Sequence, residues 1–356
     1  MPGLVQPPPT AGRAMAAEVA EQPHRWERLL DRFRARDSDL ARAVSLVQAY
    51  RPRFVLLVAR GTSDHAALYA KYLFEILCGL PCGLVSPSTM TTYDATPAAS
   101  GVLMVGISQS GGSPDLVRSL EVGRARGALT LAVTNRADSP LARAAECHVD
   151  VLAGPERAVA ATKSYTAQLL ALYLLVDRLR GGSGAAAARL PEAGARVLDQ
   201  EAHIAGLAQR YRFASRLVCT GRGYSYPTAR EAALKLMETS YVAAQAFSGA
   251  DLLHGPLAMI DPQVPVMAVV AEGRGGDAML PVLDRLTASG ADILTVGRAS
   301  AADRADATVV LPDDVPEELS PLLEILPFQT LARHLAIARG ADPDRPRGLN
   351  KVTETL

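Results

Sequence analysis

The sequence predicts an α/β fold in which one layered unit, a parallel sheet packed between helices, is built twice in tandem. Three observations predict it. Short, continuous apolar runs such as Arg53–Ala59 and Val102–Ile107 are bounded by turn residues and followed by amphipathic stretches, as buried parallel strands with crossover helices require. The pattern then starts again: Gly61 and Gly221 lie 160 residues apart and Gly127 and Gly290 lie 163 apart, so matching turns recur at a nearly constant offset. At 356 residues the chain also has room for two domains, each with a full core.

The bulk properties narrow the function classes. Lys and Arg number 37 against 37 Asp and Glu, which argues against a nucleic-acid protein relying on a basic surface. The first 48 residues carry no basic helix-turn-helix pattern. No apolar run reaches the ~20 residues of a membrane span, and the Pro-containing start lacks a hydrophobic signal core, so neither membrane insertion nor export is expected. Cys78, Cys82, Cys147 and Cys219 lack metal-ligand spacing and a His cluster; they read as buried free thiols of a cytoplasmic chain, with no metal or cofactor expected.

Taken in order, residues 1–14 look disordered. A helical pattern runs from Met15 through Val19, is broken or restarted at Pro23, and continues through Trp26, Leu29, Leu30 and Phe33. Ala41–Val47 reads as a short helix. The strand Arg53–Ala59 stops at Arg60-Gly61-Thr62-Ser63, and a helix follows through Tyr69, Leu73 and Leu77, which opens a βαβ unit. Val102–Ile107 runs into Ser108-Gln109-Ser110-Gly111-Gly112-Ser113 and a helix beginning near Pro114. Strands at Leu129–Thr134 and His148–Leu152 and a helix from Thr162 complete the first half. Gly181–Gly184 and the Ala-rich stretch after it form a flexible or helical connection. The second half repeats the scheme with strands at Arg216–Thr220, Val264–Val270, Gly290–Val296 and Thr308–Leu311, then a helix at Pro321–Ala338 and a polar tail of the kind that is usually floppy. The expected divisions are 1–48, 49–195, 196–320 and 321–356.

Candidate chemistry sits in three places. Arg230–Tyr241 is an uninterrupted run of helix formers in which Glu231, Lys235 and Glu238 share one face, while Leu234, Met237 and Tyr241 are spaced to anchor an adjoining face in a core. Alone, such a charged face reads as solvated. Thr62-Ser63 and Ser108–Ser113 crowd two neighbouring strand ends with hydroxyls, small residues and a Gln, which suits a phosphomonoester held by neutral donors and backbone amides. The alternative is that these serines merely cap helices. There is no Walker loop, and Gly221-Arg222-Gly223 lacks the third glycine of a dinucleotide fingerprint. His254 lies beside Gly255-Pro256, sixteen residues after Glu238. His65 reads as a helix-face residue, and His24, His148, His203 and His334 have no polar constellation around them.

Ala59-Arg60-Gly61-Thr62-Ser63, Ser108-Gln109-Ser110-Gly111, Ala161-Thr162-Lys163, Glu231-x-x-x-Lys235-x-x-Glu238 and His254-Gly255-Pro256-Leu257 resemble the motifs of sugar isomerase (SIS) domains. From about Met15 onward, including Glu21-Gln22-Pro23 and the Arg347–Lys351 tail, the chain resembles the tandem-SIS isomerase half of glucosamine-6-phosphate synthases. That resemblance implies two three-layer, flavodoxin-like α/β sandwiches. It implies a sugar 6-phosphate contacted by Thr62, Ser63, Ser108, Gln109, Ser110 and Ser113. Glu238 would move a proton between C1 and C2, His254 would assist ring opening from the neighbouring subunit of a homodimer, and Lys351 would meet the open-chain carbonyl end. Lys235 and Glu231 would tune the charge around Glu238. Ala161 stands where those synthases place a sugar-contacting serine. With Met1 followed by Pro2, no glutaminase domain is expected. The resemblance therefore points to SIS-type deaminases, which convert glucosamine 6-phosphate and water into fructose 6-phosphate and ammonia. A related aldose–ketose isomerase or deglycase with a different sugar, and a non-catalytic sugar-phosphate sensor, are the alternatives.

Overall fold

The computed structural model describes residues 8, 10–35 and 38–351. Its first elements are α1 (Arg13–Ala20), α2 (Gln22–Arg34), α3 (Asp39–Tyr50), β1 (Phe54–Val58), α4 (Thr62–Cys78), β2 (Cys82–Leu84) and α5 (Ser88–Thr91). There follow β3 (Val102–Ser108), α6 (Pro114–Ala125), β4 (Leu129–Thr134), α7 (Pro140–Ala144), β5 (Cys147–Asp150) and α8 (Lys163–Leu179). Next come α9 (Leu190–Leu198), α10 (Glu201–Tyr211), β6 (Arg216–Gly221), α11 (Ser225–Ser240), β7 (Ala243–Ser248) and α12 (Gly249–Leu253). The chain continues through β8 (Val266–Val270), α13 (Arg274–Asp277), α14 (Leu280–Ala288), β9 (Ile293–Gly297), β10 (Ala307–Val310) and α15 (Ser320–Ala338). Among the described residues no helix is long and apolar enough to cross a membrane.

Two compact units result. One comprises His24–Glu156 and Lys163–Ala188; the other takes the described residues before His24, Arg157–Thr162 and Arg189–Lys351. The first unit holds a wholly parallel sheet in the order β2-β1-β3-β4-β5, with Leu56 opposite Met104 and Gly106 opposite Ala132. Its core packs Val58 and Met104 on the sheet against Leu116 and Leu120 of α6 and Leu141 of α7. The second unit repeats the order as β7-β6-β8-β9-β10, again wholly parallel. Val266, Val270 and Ile293 pack there against Met279, Leu283 and Leu286 from α14 and the turn before it. This is the flavodoxin-like order, and the strand direction of construction reverses between β1 and β3 and again between β6 and β8.

Several expectations need correction. Each sheet has an edge strand, β2 and β7, that the sequence reading did not anticipate. Residues 1–7 and 9 lie outside the described residues, but the stretch expected to be disordered already contains the start of α1 at Arg13. Its first amides are satisfied from far away: Gly12 N–H donates to Asp342 (3.1 Å) and those of Ala14 and Met15 to Asp344 (2.9 and 2.8 Å). The same bonds fix the beginning of the tail that was expected to be floppy. Cys82, Cys147 and Cys219 are buried free thiols, whereas Cys78 is only half-buried. Gly181–Gly184 is a turn held on Asp177, whose carboxylate accepts from the Gly184 amide (2.7 Å).

Candidate active site

In the first unit, the turns after β1 and β3 meet at the point where the sheet order reverses. Arg60 joins them: its Nε donates to Asp115 Oδ2 (2.8 Å), and Asp115, at the start of α6, is 1 % exposed. Ser63 and Ser108 are buried, and Thr62, Gln109, Ser110 and Ser113 half-buried. Gly111 has a positive φ of 64°, and a Cβ there would lie 2.3 Å from Ser139 Oγ, so only glycine fits this bend.

Three serine oxygens here already accept an internal N–H. Ser108 Oγ takes the Gly111 amide (3.0 Å), Ser110 Oγ the Gly112 amide (3.3 Å), and Ser63 Oγ the Gln168 side-chain amide (3.1 Å). A hydroxyl has one hydrogen and two lone pairs, so an oxygen that accepts from inside keeps its hydrogen to donate elsewhere. The loop thus differs from the sequence expectation in one respect. The Gly111 and Gly112 amides are spent on the serines, so in place of those two amides the serine hydroxyl hydrogens are offered to an anion. Ser113 precedes α6 but makes no side-chain cap bond to it. By contrast, Ser139 caps α7 through the Ala142 amide (3.2 Å).

In the second unit, α11 inverts the expected orientation. Glu231 and Lys235 have no exposed side-chain surface, and Glu238 keeps 21 %. Lys235 Nζ lies 3.3 Å from Glu231 Oε1 and 2.5 Å from Glu238 Oε2, so one ammonium is clamped between two carboxylates. Burial by itself would push that ammonium down, but Glu231 and then Glu238 more than offset it, and its pKa lies above the ordinary lysine value. Met237, expected in the core, is 41 % exposed, and Leu234 and Tyr241 are half-buried; Ala232, Ala233 and Leu236 make the apolar contact instead.

The helix is fastened to α15 at both ends. Fully buried Glu324 accepts from Ser225 (2.7 Å), Thr228 (2.8 Å) and Ser320 (2.7 Å). Ser240 donates to the Ala332 carbonyl (3.1 Å), and Thr239, whose hydroxyl donates to the Lys235 carbonyl (2.8 Å), lies 3.3 Å from the same oxygen. Burial raises the Glu324 pKa, and the three hydroxyl bonds oppose that shift.

The tail passes the end of α11, where the Arg347 guanidinium stacks 4.1 Å from the Tyr241 ring and its amide donates to Tyr241 Oη (2.9 Å). Lys351 Nζ then donates to the Ala158 carbonyl (2.7 Å), while the Arg157 and Ala158 amides donate to buried Glu18 of α1. Ala161 is half-buried on the same short segment. His254 is exposed at the end of α12, and its Nδ1 lies 2.8 Å from the Ala250 carbonyl. A carbonyl only accepts, so Nδ1 carries the hydrogen and Nε2 keeps its lone pair in the neutral ring. Among the described residues no group of three or more His, Cys, Asp or Glu is placed to hold a metal ion.

The SIS domain profile matches residues 50–178 and again 211–339, one match on each sheet. The chain belongs to the SIS domain family. A glutamine–fructose-6-phosphate aminotransferase (isomerizing) from Methanothermobacter thermautotrophicus is 38% identical over 309 residues, covering 83% of this chain and 51% of that protein. The chain thus spans about half the length of the curated relatives it matches. The C-terminal domain of the glucosamine-fructose-6-phosphate aminotransferase from Francisella tularensis superposes with a TM-score of 0.84 at 29% identity, covering 93% of this chain and 98% of that one. A glucosamine-6-phosphate deaminase from Thermotoga maritima shares the fold, with a TM-score of 0.77 at 22% identity over 96% of this chain and 100% of that one.

Within this SIS chain, sequence reasoning singled out the hydroxyl loops and the α11 triad but missed Gln168, Glu324 and Glu18, and quoted Arg60 in its motif without a role. The first three had one available signal: a polar or acidic residue inside a helix whose neighbours are mostly apolar has to find a partner.

Proposed function

We propose that this SIS protein acts on a sugar 6-phosphate by moving a proton between C1 and C2, and that the preferred reaction is deamination of glucosamine 6-phosphate. The observation that carries the proposal is the clamped Glu231–Lys235–Glu238 set, in which Glu238 alone reaches solvent. Abstracting a proton beside a carbonyl needs a held carboxylate, and a neighbouring ammonium steadies the enolate-like charge that develops. Thr62, Ser63, Ser108, Gln109, Ser110 and Ser113 hold the phosphate, Glu231 sets the charge at Lys235, and Ala161 leaves room where a larger residue would touch the sugar.

In this reading Glu238 takes the C2 proton of the opened amino sugar and delivers it to C1. One nitrogen proton passes to O1 as the aldehyde goes through the enaminol to the C2 imine, and water hydrolyses that imine to the ketose phosphate and ammonia. Lys351 meets the carbonyl end, moving from its contact with Ala158. His254, through Nε2, assists ring opening for the neighbouring subunit of a homodimer. Mixing Glu238→Gln chains with His254→Ala chains tests the shared site: activity reappears in mixed dimers, and its absence refutes the sharing.

The deciding assay is release of ammonia and fructose 6-phosphate from glucosamine 6-phosphate. A panel with galactosamine 6-phosphate, fructosamine-type 6-phosphates and plain aldose phosphates separates deamination from simple isomerisation. Binding without turnover on every member would make the chain a sensor. Glu238→Gln is expected to abolish turnover and leave fructose 6-phosphate affinity within a few-fold; substantial residual activity would remove Glu238 from the proton-transfer role.

A further inference from the structure

We infer that Gln168 is a positioning residue that turns Ser63 into a dedicated hydrogen-bond donor toward the phosphate. The inference rests on the phosphate reading of the hydroxyl loops. Gln168 lies on α8 with no exposed surface, among Tyr165, Leu169, Leu170 and Leu172, which are equally buried. Its Nε2 donates to Ser63 Oγ (3.1 Å), while its Oε1 is buried with no hydrogen-bond partner among the described residues. The reversed amide would accept from Ser63 and leave both N–H donors unpaired, against one N–H and one acceptor as it stands, and a buried unpaired N–H is rarer than an unpaired carbonyl oxygen. With Nε2 on the oxygen, the Ser63 hydrogen cannot be given to Gln168 and is left to donate toward the open side of the loop.

The pattern around it makes this a built feature. Ser108 and Ser110 receive the same treatment from the Gly111 and Gly112 amides, which their own loop supplies. For Ser63, on the first turn of α4, the N–H donor comes from a different helix, and Gln168 supplies it. All three hydroxyls therefore present hydrogens to a ligand rather than lone pairs. A donor-only cradle favours a fully deprotonated phosphate over an uncharged hydroxyl of the sugar. Bonds into and out of each hydroxyl also polarise one another, which strengthens the outer one.

A double-mutant cycle tests this, with fructose 6-phosphate as the probe and calorimetric affinity as the readout. Gln168→Met keeps length and removes the donor; affinity is expected to fall about 3- to 10-fold with the thermal midpoint nearly unchanged. Ser63→Ala is expected to weaken binding about 10- to 100-fold. The double variant should match Ser63→Ala within about twofold, because Gln168 acts only through that hydroxyl. Losses that simply add would make Gln168 a packing residue and overturn the inference, leaving the phosphate site standing. No loss in Ser63→Ala would overturn both the Ser63 assignment and the inference. Should Gln168→Met fail to fold, Gln168→Glu, assayed at a pH where its carboxyl is ionised, keeps the shape and can only accept, so it draws the Ser63 hydrogen inward. It is then expected to lose as much affinity as Ser63→Ala, and wild-type affinity would refute the role.

Discussion

Lys235→Met puts the α11 triad to its most direct test. Methionine follows nearly the same unbranched path as lysine, so the apolar stem is replaced with little change of volume. What disappears is the ammonium between Glu238 and Glu231, at 2.5 and 3.3 Å. Removing one member of a buried ion pair costs about 3–5 kcal/mol, against about 5–15 kcal/mol for a whole domain. Glu238 adds little to that loss, since 21 % of its side chain is exposed and water screens it. Glu231 carries most of it, so the expected value is about 3 kcal/mol, at the low end of the range. Urea unfolding at neutral pH reads it as a lower midpoint with an unchanged slope.

The sign of the pH dependence is fixed by the wild-type lysine. Its pKa is raised in the fold, so its contribution is complete below the unfolded lysine value of ~10.4 and is lost only as pH rises through the folded value. Between mildly acidic and neutral pH that contribution is constant. Glu231→Gln with Lys235→Met removes the buried carboxylate too and should recover more than half of the loss. A cost below about 1 kcal/mol, or one the double variant does not reduce, would mean that the triad is solvated.

Three further outcomes follow from the contacts of Glu324, Ser113 and Ser139. Glu324→Gln keeps the shape of a buried group whose pKa is raised by burial. Such a group stabilises the fold while protonated and loses that contribution as pH rises from the ordinary glutamate value through its folded one. The variant should flatten the profile of thermal stability against pH above the ordinary glutamate range, and an unaltered slope would refute the assignment. Ser113→Ala removes a hydroxyl that caps nothing; stability should stay within about 0.5 kcal/mol while fructose 6-phosphate affinity drops about tenfold. Ser139→Ala, a true cap, should do the reverse, losing about 1 kcal/mol of stability at unchanged affinity.

The central strands were legible because they are long apolar runs ending at glycine or hydroxyl turns. The edge strands were not. β2 is only Cys82-Gly83-Leu84, and β7 reads Ala-Ala-Gln-Ala-Phe-Ser, without a single β-branched residue. The α11 face was legible as spacing but not as burial. Periodicity says which side chains share a side of a helix; it does not say what covers that side, and here exposed Met237 and buried Lys235 reverse the usual assignment. Gln168 and Glu324 gain their meaning from partners 105 and 96–99 positions away, which local pattern cannot reach.

The duplication poses a sharper question: why two sheets of identical order carry different chemistry at their reversal points. Each point offers a glycine-bearing turn after its first strand and another after its third. In the first sheet the serines accept the nearby amides and keep their hydrogens, so the turn remains a donor surface. In the second, the corresponding amides, Arg274 and Gly275, already donate to the Glu317 carboxylate at 2.9 and 2.7 Å. The adjacent cation is engaged as well, because Arg298 is paired with Asp277 (2.5 Å) and Glu272 (3.5 Å). A carboxylate of the chain thus sits where an external anion would have to bind, and among the described residues no serine cluster stands beside it. The same topology therefore yields one turn still able to take a ligand and one satisfied from within. The second unit's own contribution lies in α11, which follows β6 and is held by Glu324 and Ala332, with Glu238 as the one member of its buried charge set that reaches solvent.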